Sequence, residues 1–295
     1  MDQLPGKVAF VTGSAGGIGL GIARACAAAG MRIVLSDIDE SRLEQSALEL
    51  AHSGAEVMSF RLDVTDRKGW ARAAREVPAA IGPVQLLVNN AGVSTFGMSF
   101  VEVGPELWDR VVATNLAGVY NGVRAFLAGL QAAGGGHIVN CSSMAGLGGV
   151  PKGGPYSATK FAIVGLSESL RAEFAEFGIG VSVLCPGSVR TRLWRTSRAV
   201  RGLPDLDHPP PELQSGSADP NGMDPDEVGR RVLYAVVANE PYIITHPELR
   251  GFVVERHDAL LRGFARAAAF GDQPRSGSAL ARDSGPSMAR GVRRS

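Results

Sequence analysis

Cysteine is scarce. The chain has three in 295 residues, Cys26, Cys141 and Cys185, with no CxxC pair and no metal-ligand spacing. That argues for three small core residues in a reduced, cytoplasmic protein rather than a disulfide framework. An excess of either charge is also missing: the net charge is +1, which speaks against a nucleic-acid or membrane-surface partner. No apolar run is long enough to cross a bilayer. The opening stretch MDQLPGKVAF lacks a basic segment followed by an apolar one, so no signal peptide is expected. The five histidines (52, 137, 208, 246 and 257) show no metal-binding spacing and no local acid partner. No metal site is therefore expected, and a zinc-dependent dehydrogenase is disfavoured. His137 heads an apolar run and is expected to be structural.

What the chain does have is 45% hydrophobic residues, enough for a sizeable core, and 38 glycines suited to many tight turns. Short Val/Ile/Leu-rich runs predict strands at Lys7–Thr12, Arg32–Ser36, Val57–Leu62, Gln85–Val88, His137–Cys141, Gly180–Leu184 and Tyr242–Ile244. Several are apolar throughout, as strands covered on both faces should be. Amphipathic runs between them predict helices at Ile18–Ala29, Glu40–His52, Lys68–Ile81, Glu106–Ala132, Tyr156–Phe177 and Asp226–Asn239. This alternation predicts a single α/β domain of Rossmann type, a doubly wound parallel sheet of about seven strands with helices on both faces. The domain is expected over residues 1–270, with a helical extension at 246–270. A long Pro- and Gly-rich loop, functional or mobile, is expected over 188–225. The Arg-bearing tail, 271–295, is expected to be disordered and solvated.

The first strand runs into Thr12-Gly13-Ser14-Ala15-Gly16-Gly17-Ile18-Gly19, and a helix follows. Glycines permit the sharp turn and the close approach of phosphates, and free N–H groups at the helix start face the anion. Gly13, Ser14, Gly17, Ile18 and Gly19 are the candidate phosphate contacts. Asp37 ends the second strand 18 residues after Gly19, where a carboxylate accepts from a ribose diol and repels a 2′-phosphate. No Arg or Lys lies in the glycine turn or beside Asp37 in the sequence. NAD is expected over NADP.

The pentapeptide Tyr156-Ser-Ala-Thr-Lys160 sets a phenol and an amine one helical turn apart. A nearby ammonium favours the phenolate and lowers a tyrosine pKa from its ordinary value of about 10. A tyrosine so tuned can act as general acid and base.

The spacing TGxxxGxG together with YSATK resembles the short-chain dehydrogenase/reductase family. The resemblance covers roughly residues 5 to 245 and rests on further motifs. Asn89-Asn90-Ala91-Gly92 resembles the family's NNAG segment, Asp63-Val64 its adenine-contacting pair, and Asn115 its mid-helix asparagine. Ser143 lies 13 residues before Tyr156, as the family's catalytic serine does; that spacing decides against Ser142. Pro186, Gly187, Val189 and Thr191 resemble the PGxVxT segment that grips the nicotinamide carboxamide. The resemblance implies Asn115, Ser143, Tyr156 and Lys160 as catalytic residues. It implies that Lys160 and Tyr156 also touch the cofactor, and that Asn115 binds a water linking Lys160 to solvent. It further implies assembly into homotetramers or homodimers.

Substrate-lining positions are expected at 93–100, 144–153 and 188–222, with Ser143, Met144, Val150, Tyr156 and Trp194 as candidates. Trp194 either closes over a substrate ring or packs the loop onto the domain. No carboxylate or phosphate clamp is evident, Arg192 and Arg195 being the exceptions to weigh. A bulky secondary alcohol or ketone of low polarity is expected. The segment 241–264 resembles the C-terminal end of a bacterial subgroup that includes NAD-dependent Cα-dehydrogenases of lignin-derived aryl compounds. Its last helix is expected either to cover the pocket or to lie at a subunit interface. Two other readings stand beside this one: an NADPH-dependent ketoreductase of biosynthesis, and a cofactor-binding sensor without turnover.

Overall fold

The apolar runs form seven strands: β1 (Val8–Thr12), β2 (Arg32–Asp37), β3 (Val57–Arg61), β4 (Val84–Asn89), β5 (Gly136–Cys141), β6 (Ile179–Cys185) and β7 (Tyr242–Ile244). They pair in one parallel sheet of order β3-β2-β1-β4-β5-β6-β7. The structure, a computed structural model, describes residues 3–204, 206, 208 and 219–269. The expected tail, 271–295, and residues 209–218 of the expected loop lie outside the described residues.

Helices α1 (Gly17–Ala28), α2 (Glu40–His52), α3 (Arg67–Ile81), α4 (Pro105–Val112), α5 (Gly118–Ala132), α6 (Gly154–Phe174), α7 (Leu193–Val200), α8 (Pro225–Ala238) and α9 (Arg250–Ala269) complete the chain. Alternate β1 residues divide between two cores. Ala9 and Val11 pack with Ile22 of α1 and Val228 and Val232 of α8. Val8 and Phe10 pack with Trp70 of α3 and Phe126 of α5. Each such fully buried large side chain contributes roughly 1.5–3 kcal/mol. On the first face, α1 and α8 touch backbone to backbone. A Cβ on Gly21 would lie 2.1 Å from the Pro225 carbonyl oxygen, and one on Gly229 would lie 2.1 Å from that of Gly21.

The chain divides into two compact units, one ending at Leu249 and one beginning at Arg250, of which α9 is the described part. Two elements differ from the sequence expectation. The helix expected over Glu106–Ala132 is interrupted: a π turn, Ala113–Ala117, separates α4 from α5. Its cause is tertiary, because Asn115 in that turn is bonded to the main chain of Val93. The expected loop 188–225 opens with a helix, α7, whose Trp194 and Ser197 are buried.

Strand order reverses between β1 and β4, since β2 and β3 extend to one side and β5 to β7 to the other. Connections leave on opposite faces there, which opens a crevice at the C-terminal strand ends. The ends of β1 and β4 are Thr12 and Asn89.

Candidate active site

The crevice is laced by Thr12. Its hydroxyl donates to Val88 O at 3.3 Å and accepts from the amides of Asn90 at 2.9 Å and Ala91 at 3.1 Å. Asn90 Nδ2 donates to the carbonyls of Thr12 at 2.9 Å and Gly13 at 3.1 Å. Asn90 thus holds the glycine turn from the neighbouring strand. The turn itself needs glycine: Gly13 and Gly17 have φ of 63° and 54°, and a Cβ on Gly19 would lie 2.3 Å from Gly13 O. Thr191 lies against the same turn, its Cγ2 3.2 Å from where a Gly17 Cβ would be.

Three of the helices, α2, α3 and α8, are capped by the side chains of Asp39, Asp66 and Asp224. Helix α1 has Gly16 at its N-cap and no side-chain cap, and a Cβ on Gly16 would stand in open space. The first-turn amides therefore face outward at the positive end of the helix, which suits a diphosphate. Ser14 is a correction to the expectation. Its hydroxyl donates to Val11 O at 2.9 Å and accepts from Ser36 N at 2.8 Å, and its amide donates to Ser36 O at 3.2 Å, so side chain and amide both fasten the turn to β2.

Asp37 accepts from Ala15 N at 3.1 Å through Oδ2 and from Asp39 N at 3.1 Å through Oδ1. Burial pushes its carboxyl above the usual range, against the lowering by those amides. A cation hidden in the linear sequence also emerges: Arg61 of β3 is the register partner of Asp37, with its Nε 3.7 Å from Glu40 Oε2. Asp63 caps its own turn, accepting from Thr65 N and Oγ1 at 2.9 and 2.8 Å. Val64 is buried, and its carbonyl accepts from Trp70 Nε1 and Asn121 Nδ2.

Ser143, Tyr156, Lys160 and Asn115 come together at the crevice, and all four are buried. Ser143 sits just after β5, its hydroxyl accepting from Ala145 N at 3.1 Å and lying 3.5 Å from Pro186 O. Tyr156 and Lys160 lie in the first turns of α6, which starts at Gly154-Pro155, a proline-first helix entry. Lys160 Nζ donates to Cys141 O at 2.7 Å and stands 5.4 Å from the centroid of the Tyr156 ring. Gly92 leaves room beside it, since a Cβ there would be 3.7 Å from Nζ and 3.2 Å from Asn115 Oδ1. Ser142 turns away, donating to Lys160 O at 2.8 Å.

Asn115 accepts from Val93 N at 2.8 Å and donates to Val93 O at 2.9 Å and Thr159 Oγ1 at 3.2 Å. Its side chain is fully engaged in holding the segment after Gly92. The π turn that carries it is of a kind often found at functional sites.

The protein alone does not lower the Tyr156 pKa, contrary to the sequence expectation. Burial pushes it above its ordinary value, the Cys141 thiol adds to the rise, and the Ser143 hydrogen bond opposes it. The reason is that Lys160 is itself buried and its ammonium points at a carbonyl; burial holds its pKa below the usual value. The same burial raises the Cys141 thiol.

Past β6, Pro186 O accepts from Met144 N at 2.9 Å and from Ser143 Oγ at 3.5 Å. Gly187 N donates to His246 Nδ1 at 3.1 Å. The Val189 side chain belongs to the core beside α1 and α8, which leaves its main chain as the part that can face a cofactor. Met144 and Trp194 are buried, and Val150 is half-buried. The Arg195 guanidinium lies 5.2 Å over the Trp194 ring. Ser197 of α7 accepts from Ser94 N at 2.8 Å, tying that helix to the segment after β4. Phe96, in the expected substrate-lining stretch 93–100, packs on Tyr156 with ring centroids 4.7 Å apart. Its place in the segment after NNAG was the only available signal. Among the described residues, no group of three or more His, Cys, Asp or Glu is placed to hold a metal.

This arrangement agrees with known proteins. The family model for short chain dehydrogenases matches residues 7–202. The chain belongs to that family. As a short-chain dehydrogenase it is an NAD(P)-dependent oxidoreductase acting on a small molecule. It is 34% identical over 273 residues to a C alpha-dehydrogenase of a Sphingobium species, covering 90% of this chain and 88% of that one. A short-chain dehydrogenase/reductase from Burkholderia phymatum, solved in complex with NAD, superposes with a TM-score of 0.81 at 33% identity; the match covers 89% of this chain and 97% of that one. A metagenomic short-chain oxidoreductase, solved with NADP, superposes with a TM-score of 0.66 at 31% identity, over 82% of this chain and 95% of that one. The dehydrogenase's uncapped α1, the open space at Gly16 and the carboxylate of Asp37 fit a nicotinamide dinucleotide.

Proposed function

We propose that this enzyme interconverts a bulky, hydrophobic, aryl-sized secondary alcohol with its ketone, using NAD. The observation that carries the reading is the burial of Tyr156, Lys160 and Ser143 together, with Lys160 Nζ 5.4 Å from the Tyr156 ring centroid and an uncapped α1 at the same crevice. When bound, NAD supplies the hydride acceptor. Tyr156 takes the alcohol proton during oxidation and returns it during reduction. Ser143 holds the same oxygen. Lys160 holds the nicotinamide ribose hydroxyls, and its charge, together with that of the oxidised nicotinamide, opposes the effect of burial on the phenol. Asn115 keeps Val93 and Thr159 in place around this group; any part in a water relay falls to its main chain. The first-turn amides of α1 bind the diphosphate, and Asp37 takes the adenosine ribose. Gly92, Ala91, Pro186, Gly187 and Thr191 border the nicotinamide side.

The preference for a bulky apolar substrate is supported by Phe96 packed on Tyr156, by the buried side chains of Met144 and Trp194 in the expected substrate-lining stretches, and by the likeness to the Sphingobium C alpha-dehydrogenase. The NADPH reading has one observation in its favour, the register pairing of Arg61 with Asp37. Arg61 is within ion-pair distance of Glu40, which favours NAD. A homo-oligomer in the cytoplasm completes the proposal, supported by exposed Trp108, Tyr120 and Tyr234 and by three buried free thiols. The test is a panel of aryl, steroid and terpenoid secondary alcohols with NAD and with NADP, followed by nicotinamide absorbance. Turnover of aryl alcohols with NAD is the expected result; turnover of none of them, or a preference for NADP, would overturn the substrate or the cofactor assignment respectively.

A further inference from the structure

One histidine stands at the join between β7 and the segment that follows β6. Gly187 N–H donates to His246 Nδ1 at 3.1 Å. His246 Nε2 lies 3.0 Å from Ser188 O, and the Thr245 hydroxyl lies 2.7 Å from Nδ1. An amide nitrogen can only donate, so Nδ1 must offer its lone pair. In the neutral ring the proton is then on Nε2, where it can donate to Ser188 O. The Thr245 hydroxyl donates to Nδ1 as well. All three contacts agree on one tautomer.

The contact is close. A Cβ on Gly187 would lie 2.7 Å from the His246 ring, so the dipeptide rests directly on the imidazole. The other side of the segment is fastened too. Ser188 O also accepts from Met223 N at 2.9 Å, and Pro186 O accepts from Met144 N at 2.9 Å and from Ser143 Oγ at 3.5 Å. The segment that borders the nicotinamide side therefore shares bonds with the serine beside Tyr156. His246 holds an amide and a carbonyl of consecutive residues with one side chain.

We infer that His246 is a positioning residue for the nicotinamide half of the cofactor site. Its neutral ring fixes the Gly187–Ser188 dipeptide at the angle that meets the carboxamide, without touching cofactor or substrate. This rests on the cofactor reading above. It separates the two halves of the dinucleotide: α1 and Asp37 serve the adenosine diphosphate, and His246 acts through Gly187 on the nicotinamide.

The test uses two probes on the full chain, NADH and ADP-ribose, titrated by calorimetry. ADP-ribose carries the diphosphate and both riboses but no nicotinamide. His246→Phe keeps a ring, leaves Gly187 N–H without its acceptor and leaves Ser188 O with Met223 N as donor. It is expected to weaken NADH by about tenfold or more, the scale of a buried bond left unmade, with ADP-ribose within about twofold of wild type. His246→Asn keeps an acceptor near the Nδ1 position and is expected to hold NADH within about threefold of wild type. If H246F does not fold, His246→Gln, which loses the acceptor at Nδ1, takes its place with the same selective loss expected. Equal weakening of both probes would mean a general loosening and would overturn the assignment, as would no change in either. A wild-type protein that binds neither probe would instead overturn the cofactor reading, and this assignment with it.

Discussion

The main-chain amide of Ala15 donates to Oδ2 of Asp37 at 3.1 Å, so the last residue of β2 also latches the glycine turn. The two roles can be separated. Asp37→Asn keeps an oxygen for Ala15 but loses the charge, and is expected to narrow the NAD over NADP preference by about tenfold, the scale of one charge-assisted hydrogen bond. Asp37→Ala loses the latch as well and is expected to weaken both cofactors. Fluorescence titration of each variant with each cofactor checks this. An unchanged preference in D37N would remove Asp37 from the selection of cofactor.

Tyr156→Phe removes only the phenol oxygen. Its ring keeps its packing on Phe96, so the loss of stability should stay within about 1 kcal/mol, the scale of one hydrogen bond. Turnover should fall by about 10²- to 10⁴-fold. Because burial raises the Tyr156 pKa, kcat/KM for alcohol oxidation should climb as pH rises into the alkaline range, as the phenolate forms. Ketone reduction, which needs the phenol, should hold level and fall only at the alkaline end. Lys160→Met should move both limbs to higher pH. A pH-independent oxidation rate would disprove the assignment of Tyr156 as base.

Asn115 is bonded three times within the core. Asn115→Leu strands Val93 N and O without partners and should cost roughly 2–4 kcal/mol, read from urea unfolding. It should also straighten the π turn. A loss under about 0.5 kcal/mol would mean that the turn is held by its own backbone.

His137 gives the protein a pH-dependent stability. Its Nε2 lies 2.7 Å from Ser182 Oγ, whose proton goes to Glu240 O, so the ring sits neutral with Nε2 protonated. Burial lowers its pKa to about 3 from a usual 6.5. Below pH 6.5 the unfolded chain binds a proton there and the folded chain does not. This stability is therefore complete above the unfolded value and lost as pH falls toward the folded one, by up to about 1.4 kcal/mol per unit. Urea unfolding between pH 7 and 4.5 should show wild type losing about 2–3 kcal/mol more than His137→Gln. Parallel slopes for the two proteins would refute the buried neutral ring.

Much of this was legible in the linear chain because its determinants are local. Strands showed as apolar runs, and the TGxxxGxG turn and Tyr156 with Lys160 as fixed short spacings. What escaped depends on partners far away in sequence. Nothing near Asn115 signals a π turn, since the cause is Val93, 22 residues away. Gly187 and His246 are 59 apart. Arg61 reaches Asp37 only through strand register. Ser14 and Val189 carry the right motif positions, yet their side chains serve β2 and the core, which a motif cannot reveal. The short helix α7 was hidden by the proline- and glycine-rich composition around it.

The crossing of α1 and α8 at Gly21 and Gly229 has a wider meaning for how this enzyme can change. Pro225, the first residue of α8, is seated on Gly21, one turn into the helix that opens the dinucleotide site. At the other end of the intervening stretch, Arg110 Nη1 grips Val200 O at 2.6 Å. The chain thus departs from and rejoins the body at two moored points. Met223 and Asp224 belong to the second mooring, bonded to Ser188 and Arg190, so changes between the moorings that stop short of them leave the redox machinery in alignment. Selection is free to explore new alcohols there without having to rebuild the site that oxidises them.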